Sequence, residues 1–373
     1  MSGIPMTEEE FKNASPWWRT KIFTDIVTSD DGVTDLLAAL SDRASSPFFI
    51  IDGVLACQKP FERLFGRGDK FVFDASASEP RTHDVDHVVA LLKSSGKSPG
   101  AIVGVGGGAT MDLAKAVSIC LANPRPSAEY QGYGLDMARG PDIWVLPTLS
   151  GTGAEVTPIA VLRGPEKKLG INNNHTAPTV AVIDPALSSG AKKFNRFYTM
   201  MDCFFHHYEI TKSRTSDAAA VEDSRDGLAM ARDVLSRDLS DFDIGRSARS
   251  AAASVLGGSS SIGGRVGVSH AISYGLSNSS PRLPHSVAVT ISMLACRDIY
   301  RDGGWDDTVK FLEINGMPRP TAREYGINES HIERMTYTAM SMEKLWQSHF
   351  GPEWRDTVTE EFITDIYRRV VAV

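Results

Sequence analysis

The sequence is poor in cysteine and lacks long apolar runs. Its 4 cysteines are scattered among 373 residues and form no C-x-x-C pair. We therefore expect neither a zinc–cysteine site nor a disulfide framework, and a reducing compartment fits this usage. No uninterrupted apolar run reaches the roughly 18 residues that a membrane-spanning helix requires. The chain is therefore not expected to cross a membrane.

Clusters of positive charge are also lacking. The formal net charge is −7, from 39 basic and 46 acidic residues, and no basic run stands out. This balance argues against a nucleic-acid partner. The N-terminal stretch has no positive segment followed by an apolar one, so we expect no secretory signal and a cytoplasmic protein. With 42% hydrophobic and 23% charged residues, the composition is that of a globular chain long enough for two domains.

The pattern of apolar residues changes near the middle of the chain. Before about Pro185, apolar runs typical of buried strands alternate with helical stretches, and Gly96 follows one such helix as a stop signal. This alternation predicts an α/β half with a mainly parallel sheet covered on both faces. Beyond it, helical stretches take over, the longest of them over residues 245–276. We therefore predict an α/β dinucleotide-binding domain over residues 1–187 and an all-helical metal-binding and substrate domain over residues 188–373.

A glycine loop joins a strand to a helix in the first half. In AIVGVGGGATMDLAKA, an apolar run delivers Gly106, Gly107 and Gly108 to a helix start, and Asp112 follows about one turn later. Glycines let the backbone approach an anion, and free N–H groups at a helix N-terminus favour a pyrophosphate. The spacing is neither the Rossmann fingerprint nor a P-loop. A plain strand–helix turn is the alternative interpretation.

Two further strand ends carry polar residues suited to a dinucleotide. Asp52 ends an earlier strand, where its carboxylate could accept ribose hydroxyls and would repel the 2′-phosphate of NADP. An ordinary Asp-Gly turn is the alternative. Thr148, Ser150 and Thr152 follow the strand DIWVLP and could contact phosphate or ribose. A helix N-cap by Ser150 or Thr152 is the competing interpretation.

Four residues in the second half are suited to holding one divalent metal. Asp202 and His206 are four positions apart in a helical stretch, so both project from one face. With His270 and His285 they would make a site of three nitrogens and one oxygen, suited to Fe(II) or Zn(II). Any one of these histidines alone is more often an ordinary helix residue. The next residue, His207, points away from His206 and is predicted to pack instead.

These segments resemble the iron-containing (group III) alcohol dehydrogenases. GVGGGATMDLAKA resembles their G-G-G-S-x-x-D-x-A-K run, and LPTLSGTGAEVTP their P-T-x-x-G-T-x-x-E-x-T. MDCFFHHYE resembles D-x-x-x-H-x-x-E, and GVSHAISYGL followed by LPHSVAV resembles two further histidine motifs. The resemblance implies the dehydroquinate synthase-like fold of that family, a homodimer, NAD or NADP in a cleft between the domains, and one metal. It assigns the metal to Asp202, His206, His270 and His285, and cofactor contacts to Asp52, Gly106, Gly107, Gly108, Asp112, Thr148, Thr152 and Lys168.

The sequence also departs from the family pattern. Tyr274 stands where the family carries a further histidine, Ser286 replaces a glycine and Ala109 replaces a serine. Tyr274 is interpreted either as a pocket wall or, with a lowered pKa, as a proton relay. These departures suggest a reshaped pocket for a polyol or a sugar acid. The chain is similar to the branch that oxidises the C8 hydroxyl of 3-deoxy-octulosonate (Kdo) for a surface polysaccharide such as lipopolysaccharide.

Together these motifs predict a metal-dependent oxidoreductase that transfers a hydride between an alcohol and NAD or NADP. A dehydroquinate-synthase-like lyase with the same fold, NAD and metal is the alternative. It would require a cluster of lysines and arginines for a phosphate group, and the region around His270 offers few. A non-catalytic nucleotide- or metal-binding protein is the third class.

Overall fold

A computed structural model describes residues 18–43, 46–67, 69–76, 79–241 and 243–372. The expectation about a secretory signal concerns the N-terminal residues and lies almost entirely outside this range. Within the described part of the chain, no helix combines the length and the apolar character needed to span a bilayer.

The first half is built on one parallel sheet of six strands. Its spatial order is β1-β8-β5-β4-β2-β3. The strands are β1 (Asp25–Thr28), β2 (Pro47–Asp52), β3 (Lys70–Phe73), β4 (Ala101–Gly106), β5 (Asp142–Pro147) and β8 (Val180–Ile183). Between β5 and β8 the chain forms a separate antiparallel hairpin of β6 (Ile159–Arg163) and β7 (Lys168–Asn172).

Helices precede, separate and follow these strands. In the first half they are α1 (Gly32–Arg43), α2 (Glu62–Phe65), α3 (Thr82–Ser94), α4 (Gly108–Ala122) and α5 (Ala186–Ser189). In the second half they are α6 (Lys193–Thr211), α7 (Ala218–Leu235), α8 (Ile244–Gly263), α9 (Val268–Ser279), α10 (His285–Ala295), α11 (Gly304–Ile314), α12 (Ile332–Met340), α13 (Glu343–Phe350) and α14 (Glu360–Ala372).

Both faces of the sheet are covered, which explains why its strands are almost continuously apolar. Phe48 and Ile50 of β2 belong to a buried cluster with α3 and α4. The alternate residues Phe49 and Ile51 belong to a second cluster that includes Leu36 of α1. Successive side chains of a strand point to opposite faces, so β2 contributes to two cores. Ile143, Val145, Ala181 and Ile183 join a third core with the helices of the second half.

The predicted fold class is confirmed: a parallel α/β half is followed by a helical half. No strand lies beyond β8 in the part of the chain that the structure describes. The division at residue 187 stays a prediction. The sequence did not indicate β1 or the β6–β7 hairpin. The long helical stretch predicted over residues 245–276 is two helices, α8 and α9, because residues 264–267 interrupt it.

Candidate active site

The carboxyl ends of β2, β4 and β5 bring three predicted cofactor segments together. The Thr148 N–H, just after β5, donates to the Gly106 carbonyl oxygen at 3.0 Å. Asp52 lies close to Gly106: a Cβ added to Gly106 would come within 2.9 Å of the Asp52 Cβ. Adjacent parallel strands thus place Asp52, Gly106 and Thr148 at one edge, where α/β sheets bind nucleotides. Asp52 also accepts the Val54 N–H at 3.2 Å, as the simple turn interpretation expects.

The start of α4 is covered by the loop that follows β5. Gly107 caps the helix, and its carbonyl oxygen accepts the N–H groups of Thr110 and Met111 at 3.1 Å. A Cβ added to Gly108 would come within 2.8 Å of Thr152 Oγ1. The glycine loop and the Thr148–Thr152 loop are therefore in contact, as two segments that bind one dinucleotide would be. Turns rather than a helix follow this loop, so the N-cap interpretation is wrong.

The same loop also reaches the helix that carries the first two predicted metal ligands. The Gly151 N–H donates to Ser254 Oγ of α8 at 2.7 Å. A Cβ added to Gly151 would lie 2.3 Å from the Thr199 carbonyl oxygen of α6. Thr199 precedes Asp202 by less than one helical turn. Backbone contacts thus run from the glycine loop through residues 148–153 to the metal-ligand helix.

Two predicted cofactor residues already have partners inside the protein. Asp112 accepts Lys115 Nζ at 3.2 Å and the Val161 N–H at 3.0 Å, which fastens β6 to α4. Lys168 begins β7, where its ammonium is 2.5 Å from a carboxylate oxygen of Glu79. Their contacts with a cofactor stay predictions.

The structure brings three of the four predicted metal ligands into one cluster. One ligand atom each of Asp202, His206 and His270 lie within 4.8 Å of one another. His270 Nε2 is 3.5 Å from Asp202 Oδ1, and the His206 and His270 rings stack with centroids 4.6 Å apart. Asp202 and His206 come from α6 and His270 from the first turn of α9.

His285 lies beside this cluster without joining it. Its ring centroid is 5.8 Å from that of His270, at the first residue of α10. All four predicted ligands share one property: each has a buried polar atom without a hydrogen-bond partner, namely Asp202 Oδ1, His206 Nδ1, His270 Nε2 and His285 Nδ1. Buried polar atoms are ordinarily satisfied. Four orphaned atoms on neighbouring side chains therefore fit a metal ion that would satisfy them.

Glu209 fixes the orientation of His270, and the sequence analysis did not assign it. Its carboxylate accepts His270 Nδ1 at 2.5 Å and the Tyr300 hydroxyl at 2.6 Å. It also accepts the Gly267 N–H at 2.9 Å, and from Ser269 both the N–H at 2.7 Å and the hydroxyl at 2.9 Å. This leaves His270 Nε2 facing Asp202, as a carboxylate–histidine–metal arrangement requires. The available signal was its spacing: Glu209 follows His206 by three residues, on the same helix face.

Electrostatics around His270 also favour a cation. Burial alone would lower the pKa of His270, but Glu209 and Asp202 raise it to about 9. Burial lowers the pKa of His206 to about 4, so this imidazole is neutral at pH 7. Burial alone would raise the pKa of Asp202, yet the surrounding imidazoles hold it below its ordinary value. The two carboxylates thus favour a positive charge at His270, which a bound metal ion would supply.

Tyr274 lies in the same site, one turn after His270. Its ring centroid is 6.3 Å from that of His285. Burial raises the pKa of the Tyr274 phenol above its ordinary value, and the negative charges of Glu79 and Asp202 raise it further. The role of Tyr274, pocket wall or proton relay, stays a prediction.

The other histidines near the motifs lie outside the cluster. His83 and His87, which share the four-residue spacing of Asp202 and His206, are exposed on α3. His207 is buried and lies against α7 and α8, with Nε2 3.0 Å from the Ala253 carbonyl oxygen.

Comparison with known proteins matches the first half of the chain to one family. The family model described as "Iron-containing alcohol dehydrogenase" matches residues 24–185. A sulfoacetaldehyde reductase of Bilophila wadsworthia is 31% identical over 176 residues, which is 45% of this chain and 44% of the relative. A 4-hydroxybutyrate dehydrogenase of Cupriavidus necator is 31% identical over 212 residues, which is 54% of this chain and 53% of the relative. The chain thus spans about half the length of these curated relatives.

Solved structures show the same fold over nearly the whole chain. Sulfoacetaldehyde reductase from Bifidobacterium kashiwanohense, in complex with NAD+, superposes with a TM-score of 0.78 and 19% identity, covering 96% of this chain and 100% of that one. A 1,3-propanediol oxidoreductase gives a TM-score of 0.78 and 19% identity, covering 95% of this chain and 100% of that one. At such identities the likeness concerns the fold alone. The family model and the curated relatives thus show that about half of this chain is similar to iron-containing alcohol dehydrogenases.

Proposed function

We propose that this protein is a metal-dependent oxidoreductase that transfers a hydride between an alcohol and NAD. The observation that carries the proposal is the set of four orphaned buried atoms on Asp202, His206, His270 and His285. Backbone contacts connect the helix of Asp202 to a glycine loop at the carboxyl ends of parallel strands. A metal site joined in this way to a dinucleotide site supports alcohol oxidation or the reverse carbonyl reduction.

The chain's own residues hold and orient the reactants. When bound, the metal supplies Lewis-acid polarisation of the substrate oxygen and the nicotinamide supplies the hydride acceptor. Asp202, His206, His270 and His285 are the residues that would hold the metal, and Glu209 keeps the His270 ring in place. Gly106 to Gly108, Thr148 and Thr152 orient the dinucleotide, whose pyrophosphate is favoured by the N-terminus of α4. Tyr274 forms part of the pocket wall and excludes water from the pocket.

The donor set and the strand ends support particular cofactors. Three imidazoles and one carboxylate accept either Fe(II) or Zn(II), and we propose one such ion. Asp52 supports NAD over NADP, because a carboxylate at the end of β2 would repel a 2′-phosphate.

For the substrate we propose a polyol or a sugar acid, with the C8 hydroxyl of Kdo as the specific candidate. Tyr274 in place of the family's histidine supports a reshaped pocket. The names of two relatives, a sulfoacetaldehyde reductase and a 4-hydroxybutyrate dehydrogenase, support a substrate that bears an acidic group. A homodimer in the cytoplasm, acting in sugar and lipopolysaccharide metabolism, completes the proposal.

The decisive experiment measures the metal and nucleotide content of the protein together with its NAD-dependent activity. Elemental analysis and mass spectrometry of the purified protein should reveal about one iron or zinc per chain and bound NAD. NAD reduction is then followed with simple alcohols, polyols, sugar acids and Kdo, in the wild type and in His206→Ala. We expect NADH formation with at least one substrate, faster with NAD than with NADP, and its loss with the metal in His206→Ala.

The same assay separates the alternatives. Metal binding without turnover of any alcohol would contradict an oxidoreductase and favour a binding protein. Release of phosphate from a phosphorylated substrate with no net NADH would instead favour the lyase. The dehydrogenase and reductase relatives do not favour that alternative.

A further inference from the structure

Three charged side chains meet beside the metal site. We call Glu79, Arg163 and Lys168 the Glu79 cluster. Glu79 Oε1 is 2.5 Å from Lys168 Nζ, and its Oε2 is 3.2 Å from Arg163 Nη2. The three side chains are 18%, 17% and 5% exposed, respectively. One carboxylate is shared between two cations, so the cluster carries a formal charge of +1.

The two cations have more hydrogen-bond donors than the described residues satisfy. The Lys168 ammonium has three N–H groups, and Glu79 is its one acceptor in the described parts of the chain. Arg163 Nη2 donates to Glu79 and to the Ser277 carbonyl oxygen at 2.8 Å, while Nε and Nη1 have no acceptor among these residues. None of these donors is among the fully buried unpaired atoms, so they are accessible to a ligand from outside the protein. Because one carboxylate faces two cations, the cluster has room in its charge balance for one more negatively charged partner.

The cluster is fastened to the helix that carries His270 and Tyr274. Asn278 Oδ1 accepts the Lys168 N–H at 2.6 Å, and Asn278 Nδ2 donates to the Tyr274 carbonyl oxygen at 2.8 Å. Arg163 binds the neighbouring turn of the same helix through Ser277. The charges of Lys168 and Glu79 both act on His285. The cluster therefore borders the pocket that we propose for the substrate.

We propose that Arg163 binds a carboxylate of the substrate, with Glu79 as an internal counterion that limits the site to a single negative charge. This proposal rests on the proposed function, whose substrate class it narrows from a polyol or a sugar acid to the acids alone, and it names the residue that would bind their carboxylate. The free N–H groups of the guanidinium, on Nε and Nη1, suit a carboxylate through a charge-assisted hydrogen bond. A monoanion would neutralise the cluster, whereas a phosphate dianion would overcompensate it beside Glu79. Lys168 keeps its predicted contact with the cofactor, so Arg163 is the specificity-determining residue.

The test compares two ligands that differ only in the anionic group. D-gluconate and D-glucitol share a six-carbon polyol chain, and only gluconate has a carboxylate. Both are titrated calorimetrically into the metal-loaded protein with bound NADH, which prevents oxidation of either. We expect the wild type to prefer gluconate. Arg163→Gln should weaken gluconate binding about tenfold or more, as for a lost hydrogen bond between charged groups, with glucitol unchanged.

Three further variants test the role of Glu79 as counterion and the location of the site. Glu79→Gln should tighten gluconate binding, because the competing carboxylate is removed while the side-chain shape is kept. Arg81→Gln is the matched control: Arg81 follows the same loop but is 55% exposed and paired with Asp84, so gluconate binding should not change. Arg163→Lys retains the charge and should recover part of the preference, which guards against misfolding of Arg163→Gln.

The outcomes that overturn this proposal differ from failure of the proposed function. Equal binding of gluconate and glucitol by the wild type overturns it. Equal weakening of both ligands by Arg163→Gln, or weaker gluconate binding by Glu79→Gln, also overturns it. The proposed function fails separately, if no alcohol, neutral or acidic, yields NADH.

Discussion

At the scale of single residues, the chemistry of the site depends on how Glu209 holds His270. A buried carboxylate that accepts five hydrogen bonds is well satisfied, although each donor was removed from water to reach it. Glu209→Gln would replace one acceptor oxygen by an NH2 group that points at donors. We expect metal affinity to fall roughly 10- to 100-fold, as for other residues that orient a ligand, together with a lower Tm.

This prediction is checked by metal content after dialysis and by competition with a chelator. Tyr300→Phe is the control, because it removes one of the five donors and leaves the bond between Glu209 and His270 intact. It should retain more metal than Glu209→Gln. Unchanged metal affinity in Glu209→Gln would show that the His270 ring is oriented by other contacts.

The candidate site was predictable from the sequence only as far as its motifs reach. Asp202 and His206 share a helix, so their spacing alone places them on one face. His270 lies on another helix, so its imidazole marks it as a candidate ligand, but no spacing in the sequence places it beside them. Glu79 comes from the loop after β3, far from any motif. Its role depends on how the β6–β7 hairpin folds back, and no local pattern encodes that.

At the scale of secondary-structure elements, the contact between α6, α7 and α8 depends on small residues around His207. A Cβ added to Gly227 of α7 would come within 2.1 Å of the His207 ring. A Cβ added to Gly257 of α8 would lie 3.5 Å from the same ring, an ordinary contact. Two glycines thus flank one buried imidazole, and only one of them has no room for a methyl group.

Alanine substitutions at these two positions should therefore have opposite effects. Gly227→Ala gains helix propensity but must displace His207, and we expect a net loss of about 1–3 kcal/mol of unfolding free energy. Gly257→Ala should be neutral or stabilising by up to about 1 kcal/mol, because the gain in helix propensity is unopposed. Chemical denaturation of both variants provides the measurement. Equal stability of the two would mean that α6 and α7 can separate without cost.

Strands were predictable from the sequence where both of their faces are buried. Runs such as PFFIID and AIVGVG are apolar throughout because both faces of the sheet are covered, and their bounds in the structure agree with the pattern. The strand β1 is short, and much of the hairpin is polar, as in KLGIN, so neither differs clearly from a loop in sequence. Residues 245–276 read as one helix because the apolar spacing does not reveal the break before α9.

At the scale of the whole molecule, the two halves are joined by packing that sequence patterns do not reveal. Sheet residues Ile143 and Ile183 share one buried cluster with the helices of the second half. The Gly151 N–H adds a hydrogen bond from the loop of residues 148–153 to α8. Because these contacts couple the sheet to the helical half, a change in charge inside either half should be observed in the stability of the entire chain.

Protonation of His349, in the last turn of α13, would be such a change in charge. It packs edge-on against Tyr300, with ring centroids 5.2 Å apart. Burial lowers the pKa of its imidazole below the ordinary histidine value of about 6.5. The charges of Glu209, Arg214, Asp302 and Lys212 have smaller effects on this pKa. Well above that value neither state is protonated. As the pH falls below it, the unfolded chain binds a proton that the folded chain does not, so stability is lost toward the lowered pKa.

His349→Gln removes this proton uptake and should make the protein less sensitive to acid. We expect the denaturation midpoint of the variant to fall less than that of the wild type between about pH 8 and about pH 5, the range in which histidines titrate. His83→Gln is the matched control, because that side chain is 86% exposed and should leave the wild-type pH dependence in place. Parallel curves for the wild type and His349→Gln would mean that burial of His349 does not contribute to acid unfolding, which would then be set by other buried groups of the molecule.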